Sequence, residues 1–173
     1  MLIRIATEAD ILAAAEIYDA ARIFMKEKGN PNQWSSNYPC AEDIKNGIKN
    51  GVSYVCEDNG EIVATFHFEA NAQDEPYKII DGAWKNDKPY AAIHRIAVKY
   101  HGKGIADFCF SECYRLFSNL KIDTHRDNIP MQKVLERCGF EYCGIIHIET
   151  GDEHPDRSVP KSNCLHHRSK HAV

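Results

Sequence analysis

Residues 93–106 read Ile-His-Arg-Ile-Ala-Val-Lys-Tyr-His-Gly-Lys-Gly-Ile-Ala, and the fold prediction starts from them. Ile93–Val98 is short, apolar and β-branched at three positions, which favours a strand covered on both faces. Gly102 and Gly104 lack a Cβ, so a ligand can approach the backbone closely. Apolar residues with helical spacing follow, and a glycine turn before a helix leaves free N–H groups at the positive end of its dipole. We expect a phosphate-binding turn, although turn formation alone also explains such glycines.

The composition is that of one soluble globular domain, or of one domain with a tail. The chain has 173 residues, of which 43% are hydrophobic and 27% charged, which is enough for a substantial core. The net charge of −4 argues against a nucleic-acid partner, because such partners favour basic surfaces. No run of about 18 apolar residues occurs, so we expect no membrane span. The N-terminus carries no signal-peptide pattern, which predicts a cytoplasmic protein.

The cysteines number seven, which is odd, and most of them lie in apolar patterns. We therefore expect buried, reduced thiols rather than disulfides. One group near the C-terminus combines thiol and imidazole side chains: Cys164, His166, His167 and His171. Those residue types can bind a metal, but a histidine-rich tail is more often simply solvated, and we predict that no metal is required.

The element order predicted along the chain is β-α-α-β-β-β-α-β-α-β. Strands are predicted at 2–5, 52–56, 61–69, 90–98, 120–124 and 140–148, with a further short strand near 77–80. Helices are predicted after Thr7, at 41–50, at 106–118 and after Asn128.

Local patterns fix several helix ends and faces. Thr7 and Asp10 form a capping pattern, and Asn128, with Asp127 as the alternative, can cap the last helix. In the helix at 106–118, Leu116 is predicted to face the core. After Glu149 large apolar residues become rare, so we divide the chain into a domain at 1–149 and a polar, His-rich tail or weak last strand at 150–173.

This element order, together with two motifs, resembles the GCN5-related N-acetyltransferase superfamily. The acetyl-CoA motif of that superfamily, Gln/Arg-x-x-Gly-x-Gly/Ala, corresponds to residues 99–104, where Lys99 replaces the usual Gln or Arg and keeps the positive charge of the arginine. Its second motif, Asn-x-x-Ala-x-x-Leu-Tyr-x-Lys-x-Gly-Phe, corresponds to Asn128–Phe140 with hydrophobic substitutions. The resemblance covers about residues 1–148, and two motifs at this spacing are more specific than the glycine turn alone.

The resemblance implies an α/β fold with a mixed, largely antiparallel central sheet, a V-shaped splay between its fourth and fifth strands, and helices on both faces. It implies acetyl-CoA as cosubstrate, with the pyrophosphate on backbone N–H groups and the pantetheine arm beside the central strand. The cofactor-binding residues that it implies are Ile96, Val98, His101, Gly102, Lys103, Gly104, Ile105, Ala106 and Asn128. Members of the family often dimerise, so a homodimer is one expectation.

The catalytic residues are predicted from the chemistry of acetyl transfer, in which a base keeps the attacking amine neutral. His94, on the central strand, is the first candidate, because imidazole suits proton transfer near neutral pH. His125, just beyond the next strand, is the second, and Asp123 and Glu69 are further options. A structural histidine, bonded in the sheet or in a loop, is the plainer explanation of either position. The tyrosine that the family uses as acid is replaced by Leu135, so the acid stays open.

Four aromatic residues are predicted to bind the amine that accepts the acetyl group. Trp34 and Tyr38 lie in the loop between the first two helices, and Trp84 and Tyr90 flank the long connection before the central strand. Aromatic walls suit an apolar or flat amine, although such residues often only anchor loops.

These observations together predict an N-acetyltransferase that moves the acetyl group of acetyl-CoA to a primary amine of a small molecule or peptide. The amine would attack directly in a ternary complex. The alternative is a catalytically weak acyl-CoA-binding sensor or interaction module. A third interpretation, an α/β nucleotide-binding module, is disfavoured by the second motif.

Overall fold

The computed structural model describes residues 1–73, 81–147 and 161–167. The strands are β1 Leu2–Ile5, β2 Ser53–Asp58, β3 Glu61–Glu69, β4 Asp81–Gly82, β5 Ala91–Val98, β6 Leu120–His125, β7 Phe140–His147 and β8 Lys161–His167. The α-helices are α1 Ile11–Glu27, α2 Ala41–Lys49, α3 Ile105–Leu116 and α4 Ile129–Arg137, and a 3-10 turn, Glu8–Asp10, precedes α1. The short strand predicted near 77–80 lies outside the described residues.

All of these strands form one sheet in the order β1-β2-β3-β5-β6-β8-β7-β4. β5 and β6 run parallel, and α3 connects them, as expected for a strand–helix–strand unit. The other neighbouring pairs among the described strands are antiparallel. The predicted α/β class with a mixed, largely antiparallel sheet is therefore confirmed. β8 lies between β6 and β7, so part of the predicted tail region enters the sheet.

The ladder between the two parallel strands is short. It pairs Ala91–Ile93 with Leu120–Ile122, although β5 continues to Val98 and β6 to His125. The ladder therefore ends near the level at which the resemblance places the splay, and the V shape itself stays a prediction.

On its other side, β5 pairs with β3 across an irregularity between Thr65 and His67. Arg95, opposite this bulge, has a φ of 55°, in the left-handed region that non-glycine residues seldom adopt. Bulges change the direction in which a side chain points, and they occur often beside active sites.

Helices cover both faces of the sheet. Phe110 of α3 and Leu135 of α4 are almost fully buried in one core cluster, which also contains Ile96 of β5. Ile44 of α2 belongs to a second cluster, with several residues of α1 and with Ala97 of β5. Because successive strand residues point to opposite faces, the two clusters lie on opposite sides of β5.

One prediction about α3 was wrong. Leu116 is 58% exposed rather than packed in the core. The helix ends at Leu116, and Phe117 has extended backbone with φ −150° and ψ 111°, so Phe117 packs against the core while Leu116 faces solvent.

The predicted helix caps are confirmed. The Asp10 carboxylate accepts a hydrogen bond from the Thr7 N–H at 2.7 Å, and the Asn128 side chain accepts one from the Met131 N–H at 3.2 Å. Within the described residues, no helix is both long enough and apolar enough to cross a membrane.

Candidate active site

A cleft, partly open to solvent, lies between α1, β5, β6 and the start of α4. We call it the central cleft. Its apolar walls come from Phe24 and Met25 of α1, Ile96 of β5, and Met131 and Val134 of α4. Its polar lining residues are Gln33, Arg95, His101, Asp123, Thr124 and Asn128. The central cleft thus joins the predicted phosphate-binding turn to the predicted catalytic strand.

The glycine turn at one end of the central cleft has the geometry of an anion site. Gly102 and Gly104 have φ values of 73° and 72°, which glycine adopts without strain. A Cβ at either position would meet nothing within 4 Å, so the space beside the backbone is open. The Phe108 N–H donates to the Gly104 carbonyl at 3.0 Å, and the N–H groups before it have no partner inside α3. They remain available to a ligand.

The charges around this turn also suit an anion. Asp107, in the first turn of α3, would repel an anion, but Arg137 binds its carboxylate through two contacts of 2.8 Å. This pairing lowers the pKa of Asp107 and offsets its charge locally. Lys103 is exposed and adds a positive side chain.

His101 contributes an aromatic surface rather than a charge. Its imidazole stacks on the Phe24 ring, with 3.8 Å between centroids and 17° between planes. Partial burial, and to a smaller extent the charge of Lys28, lowers the pKa of His101 and so favours the neutral ring.

His94 and Asp123 meet beyond the end of the β5–β6 ladder, and Asp123 lines the central cleft. Nδ1 of His94 lies 3.6 Å from Oδ1 of Asp123, and both side chains are mostly buried. The His94 ring also contacts the His67 ring, with 5.5 Å between centroids. Nε2 of His67 lies 3.6 Å from a carboxylate oxygen of Glu69. Both catalytic candidates on β5 and β6 therefore belong to one cluster of imidazoles and carboxylates.

Arg95 connects this cluster to the loop between α1 and α2. Its Nη2 lies 2.6 Å from Nδ1 of His67, and its Nη1 lies 4.0 Å from the Asp43 carboxylate. Its guanidinium lies 5.8 Å from the Tyr38 ring centre. The unusual backbone of Arg95 therefore brings a positive charge into the central cleft.

His125 is not among the residues that line the central cleft. It is 6% exposed, and its Nδ1 accepts a hydrogen bond from the Asp127 N–H at 3.2 Å. Burial lowers the pKa of His125, while Asp127 acts in the opposite direction. Its contacts are those of a residue that supports the turn before α4.

Asn128 lines the central cleft, but its amide is used within the protein. Its Oδ1 accepts from the Met131 N–H, so its Nδ2 must be the donor to Gln33 Oε1 at 2.8 Å. Asn30 donates to the same Gln33 oxygen at 2.7 Å. These contacts attach the loop after α1 to the start of α4.

The four aromatic residues predicted to bind the acceptor amine lie in two different places. Trp34 lines the central cleft, and Tyr38 lies beside Arg95, which also lines it. Trp84 and Tyr90 instead contact the ammonium group of the buried Lys121, at 4.2 and 4.0 Å from their ring centres. The structure thus brings Trp34 and Tyr38 to the site and places Trp84 and Tyr90 on another cluster.

Several lining residues escaped the sequence prediction, among them Phe24, Gln33 and Thr124. Phe24 and Gln33 reach the central cleft only through the packing of α1 and its following loop on β5. Thr124 had a local signal, because it follows Leu120 and Ile122 at alternating positions of β6, where another apolar residue is expected. Among the described residues, no group of three or more His, Cys, Asp or Glu side chains could hold a metal ion. The predicted tail group, Cys164, His166, His167 and His171, lies outside the described side chains.

Comparisons with known proteins agree with this geometry. The sequence model of the acetyltransferase (GNAT) family matches residues 15–140, and this chain therefore belongs to that family. No curated protein sequence matches the chain.

Solved structures show the same fold. A GNAT family acetyltransferase from Streptococcus agalactiae has a TM-score of 0.83 and 23% identity, over 96% of this chain and 94% of that one. The ribosomal-protein-alanine N-acetyltransferase of Brucella melitensis has a TM-score of 0.62 and 20% identity, over 96% and 98% of the two chains. The Salmonella typhimurium protein yncA, solved with its cofactor acetyl-CoA, has a TM-score of 0.56 and 15% identity, over 99% and 96%. At these identities the comparison concerns the fold.

Proposed function

We propose that this protein is an acetyl-CoA-dependent N-acetyltransferase that acts on a primary amine of a small molecule or peptide, by direct attack in a ternary complex. One observation carries the proposal. A single cleft is lined by His101 and Ala106, on either side of the open glycine turn, and by Asp123, whose carboxylate lies 3.6 Å from the His94 imidazole. Membership of the acetyltransferase family supports the same reaction class.

The cosubstrate fits the residues of the central cleft. The N–H groups of residues 102–106 would hold the pyrophosphate, and the open space beside Gly102 and Gly104 lets phosphate oxygens approach the backbone. The main chain of Ile96 and Val98 would pair with the pantetheine arm, where the β5–β6 ladder has ended. Bound acetyl-CoA would supply an acetyl group on a good leaving thiolate.

His94 is the proposed base, with Asp123 as the group that orients it. A carboxylate near Nδ1 favours the tautomer with the proton on that nitrogen and leaves Nε2 to accept a proton from the amine. Trp34 and Tyr38 would form the acceptor wall, because Trp34 lines the central cleft and Tyr38 lies beside Arg95, which lines it as well. The bulged backbone around Arg95 would present an N–H group to the carbonyl oxygen.

A second candidate function is an acyl-CoA sensor with little turnover. It is favoured by Leu135, which is fully buried at the position where the family often carries its acid tyrosine. A thiol is a fair leaving group, with a pKa of about 8.5, so the absence of a strong acid does not prevent transfer.

Two assays test the proposal. A thermal shift with acetyl-CoA against the same concentration of ATP measures which nucleotide the protein binds, and we expect acetyl-CoA alone to raise the melting temperature. Thiol release from acetyl-CoA is then followed with a panel of primary amines. Tight binding without turnover on any amine would favour the sensor, and a shift with ATP alone would contradict both functions.

A further inference from the structure

Thr124 carries a buried hydroxyl that has no hydrogen-bond partner in the part of the chain that the structure describes. The residue is 1% exposed and lines the central cleft. Buried hydroxyl groups normally have a partner, because an unpaired one loses its hydrogen bonds to water. An unpaired hydroxyl at a cleft wall therefore indicates a ligand that supplies the missing partner.

The position of Thr124 on β6 points to the reacting end of the ligand. Ile93 of β5 lies opposite Ile122 of β6. The next residues, His94 and Asp123, therefore form the imidazole–carboxylate contact described above. Thr124 follows Asp123 directly, and successive strand residues point to opposite faces. The His94–Asp123 pair and the Thr124 hydroxyl therefore lie on opposite faces of the sheet, just beyond the last paired residues of β5 and β6.

We propose that the Thr124 hydroxyl donates a hydrogen bond to the thioester sulfur of acetyl-CoA and stabilises the thiolate as it leaves. This inference rests on the proposed function. Members of the family often use a tyrosine to assist the leaving thiolate, and Leu135 stands at that position here, so the inference assigns this role to Thr124. The neighbouring Asn128 is excluded from this part, because both ends of its amide already have partners.

The step balances without another reactant. The amine nitrogen forms a bond to the carbonyl carbon, and the proton that this nitrogen loses goes to His94. The carbon–sulfur bond breaks, and its electron pair goes to sulfur, which becomes the thiolate of coenzyme A. Thr124 keeps its proton throughout and lowers the energy of the sulfur anion by a hydrogen bond, which is stronger to a charged acceptor than to a neutral one.

The test compares Thr124→Val, which removes the hydroxyl and keeps the shape, with Thr124→Ser, which keeps a hydroxyl. Binding of coenzyme A and of desulfo-coenzyme A, which lacks the sulfur, is measured by calorimetry at pH 9, where free thiols are largely ionised. We expect Thr124→Val to weaken coenzyme A binding about tenfold or more and to leave desulfo-coenzyme A within about twofold. Thr124→Ser is expected within about threefold of the wild type for both ligands.

A second readout needs no ligand. Thr124→Val removes an unpaired buried hydroxyl, so the melting temperature of the free protein is expected to rise by about 2–4 °C. The turnover number for acetyl transfer is expected to fall about 10- to 100-fold in the same variant. Gain of stability with loss of turnover is the combination that a residue with a merely structural role would not give.

Several outcomes would overturn the inference. Equal weakening of both ligands would place the contact on the pantetheine arm rather than on sulfur. Wild-type binding and turnover in Thr124→Val, or a lower melting temperature, would show that the hydroxyl has no ligand role. If the valine variant does not fold, Thr124→Ala removes the same hydroxyl. Its loss of affinity for coenzyme A is then compared with its loss for desulfo-coenzyme A in the same way. A wild-type protein that binds neither ligand would instead contradict the proposed function.

Discussion

The imidazole Nδ1 of His94 lies 3.6 Å from the Oδ1 of Asp123, across the end of the β5–β6 ladder. The contact follows from the register, because the last paired residues, Ile93 and Ile122, stand directly before His94 and Asp123. Asp123 lines the central cleft, and the side chains of His94 and Asp123 are 25% and 16% exposed. A base needs this combination of access to the substrate and a fixed orientation.

Substitution of His94 by glutamine is expected to lower kcat/KM by about 10²- to 10³-fold, since a positioned base contributes about that much. The acidic limb of the pH profile of kcat/KM should disappear as well, because the limb reports protonation of the base. Initial rates across pH 5–9 measure both. A variant that keeps the wild-type rate and the same acidic limb would remove His94 from the mechanism.

Replacement of Asp123 by asparagine should lower kcat about 10- to 100-fold and change the KM for acetyl-CoA little, because the residue acts on His94. The chain offers a matched control. His125 and Asp127 form a second pair at 3.6 Å, and neither residue lines the central cleft. Asp127→Asn is therefore expected to leave kcat within about twofold, and an equal loss in both variants would argue against a specific role for Asp123.

Substitution of Gly104 by alanine is expected to weaken acetyl-CoA binding at least tenfold, because the added Cβ would occupy the open space beside the turn. It would also strain a backbone with φ 72°, at about 1–2 kcal/mol. Gly51→Ala is the control, since Gly51 ends α2 with φ 71° and equally open surroundings. Both variants should lose similar stability in urea, and only Gly104→Ala should lose affinity by calorimetry. Equal affinities would contradict the phosphate site.

The Arg4–Asp10 pair predicts how stability depends on pH. Arg4 donates two hydrogen bonds to the Asp10 carboxylate at 2.7 and 2.9 Å, and these hold the pKa of Asp10 well below its usual value. A lowered folded-state pKa gives stability that is present above the ordinary Asp pKa, about 3.9, and is lost as pH falls below it.

Asp10→Asn is therefore expected to lower the free energy of unfolding by about 2 kcal/mol at pH 7, less than for a fully buried pair because Arg4 is one-third exposed. The difference from the wild type should shrink towards pH 2, as measured by urea unfolding. The exposed Asp87→Asn serves as the control. A difference that stays constant from pH 7 to pH 2 would contradict an ionic origin.

Local sequence patterns predicted the strands and helices of this fold better than they predicted its backbone bulge and its exact helix ends. The strand, glycine turn and helix at 93–116 follow from apolar spacing and from two glycines, which are signals inside one stretch of sequence. The bulge at Arg95 depends on pairing with β3, about thirty residues earlier in the chain. No residue type at this position indicates the bulge in the sequence. Leu116 failed as a core residue because the helix ended two residues before the predicted end.

The sequence suggested the part of the candidate site that lies within one stretch of chain, but not the part that helix packing brings together. His94 and the turn residues stood within one motif, whereas Phe24 and Gln33 join them only through the packing of α1. The His94–Asp123 contact needed the register of two parallel strands. Thr124 could have been recognised as a polar residue at an apolar register position, but its missing partner is visible only in three dimensions.

A crystal structure with coenzyme A bound tests the central claim most directly. We expect the pyrophosphate on the N–H groups of residues 102–106, the pantetheine arm between β5 and β6, and the sulfur beside Thr124 within reach of His94. Coenzyme A bound outside the central cleft, or a sulfur far from both side chains, would contradict the account.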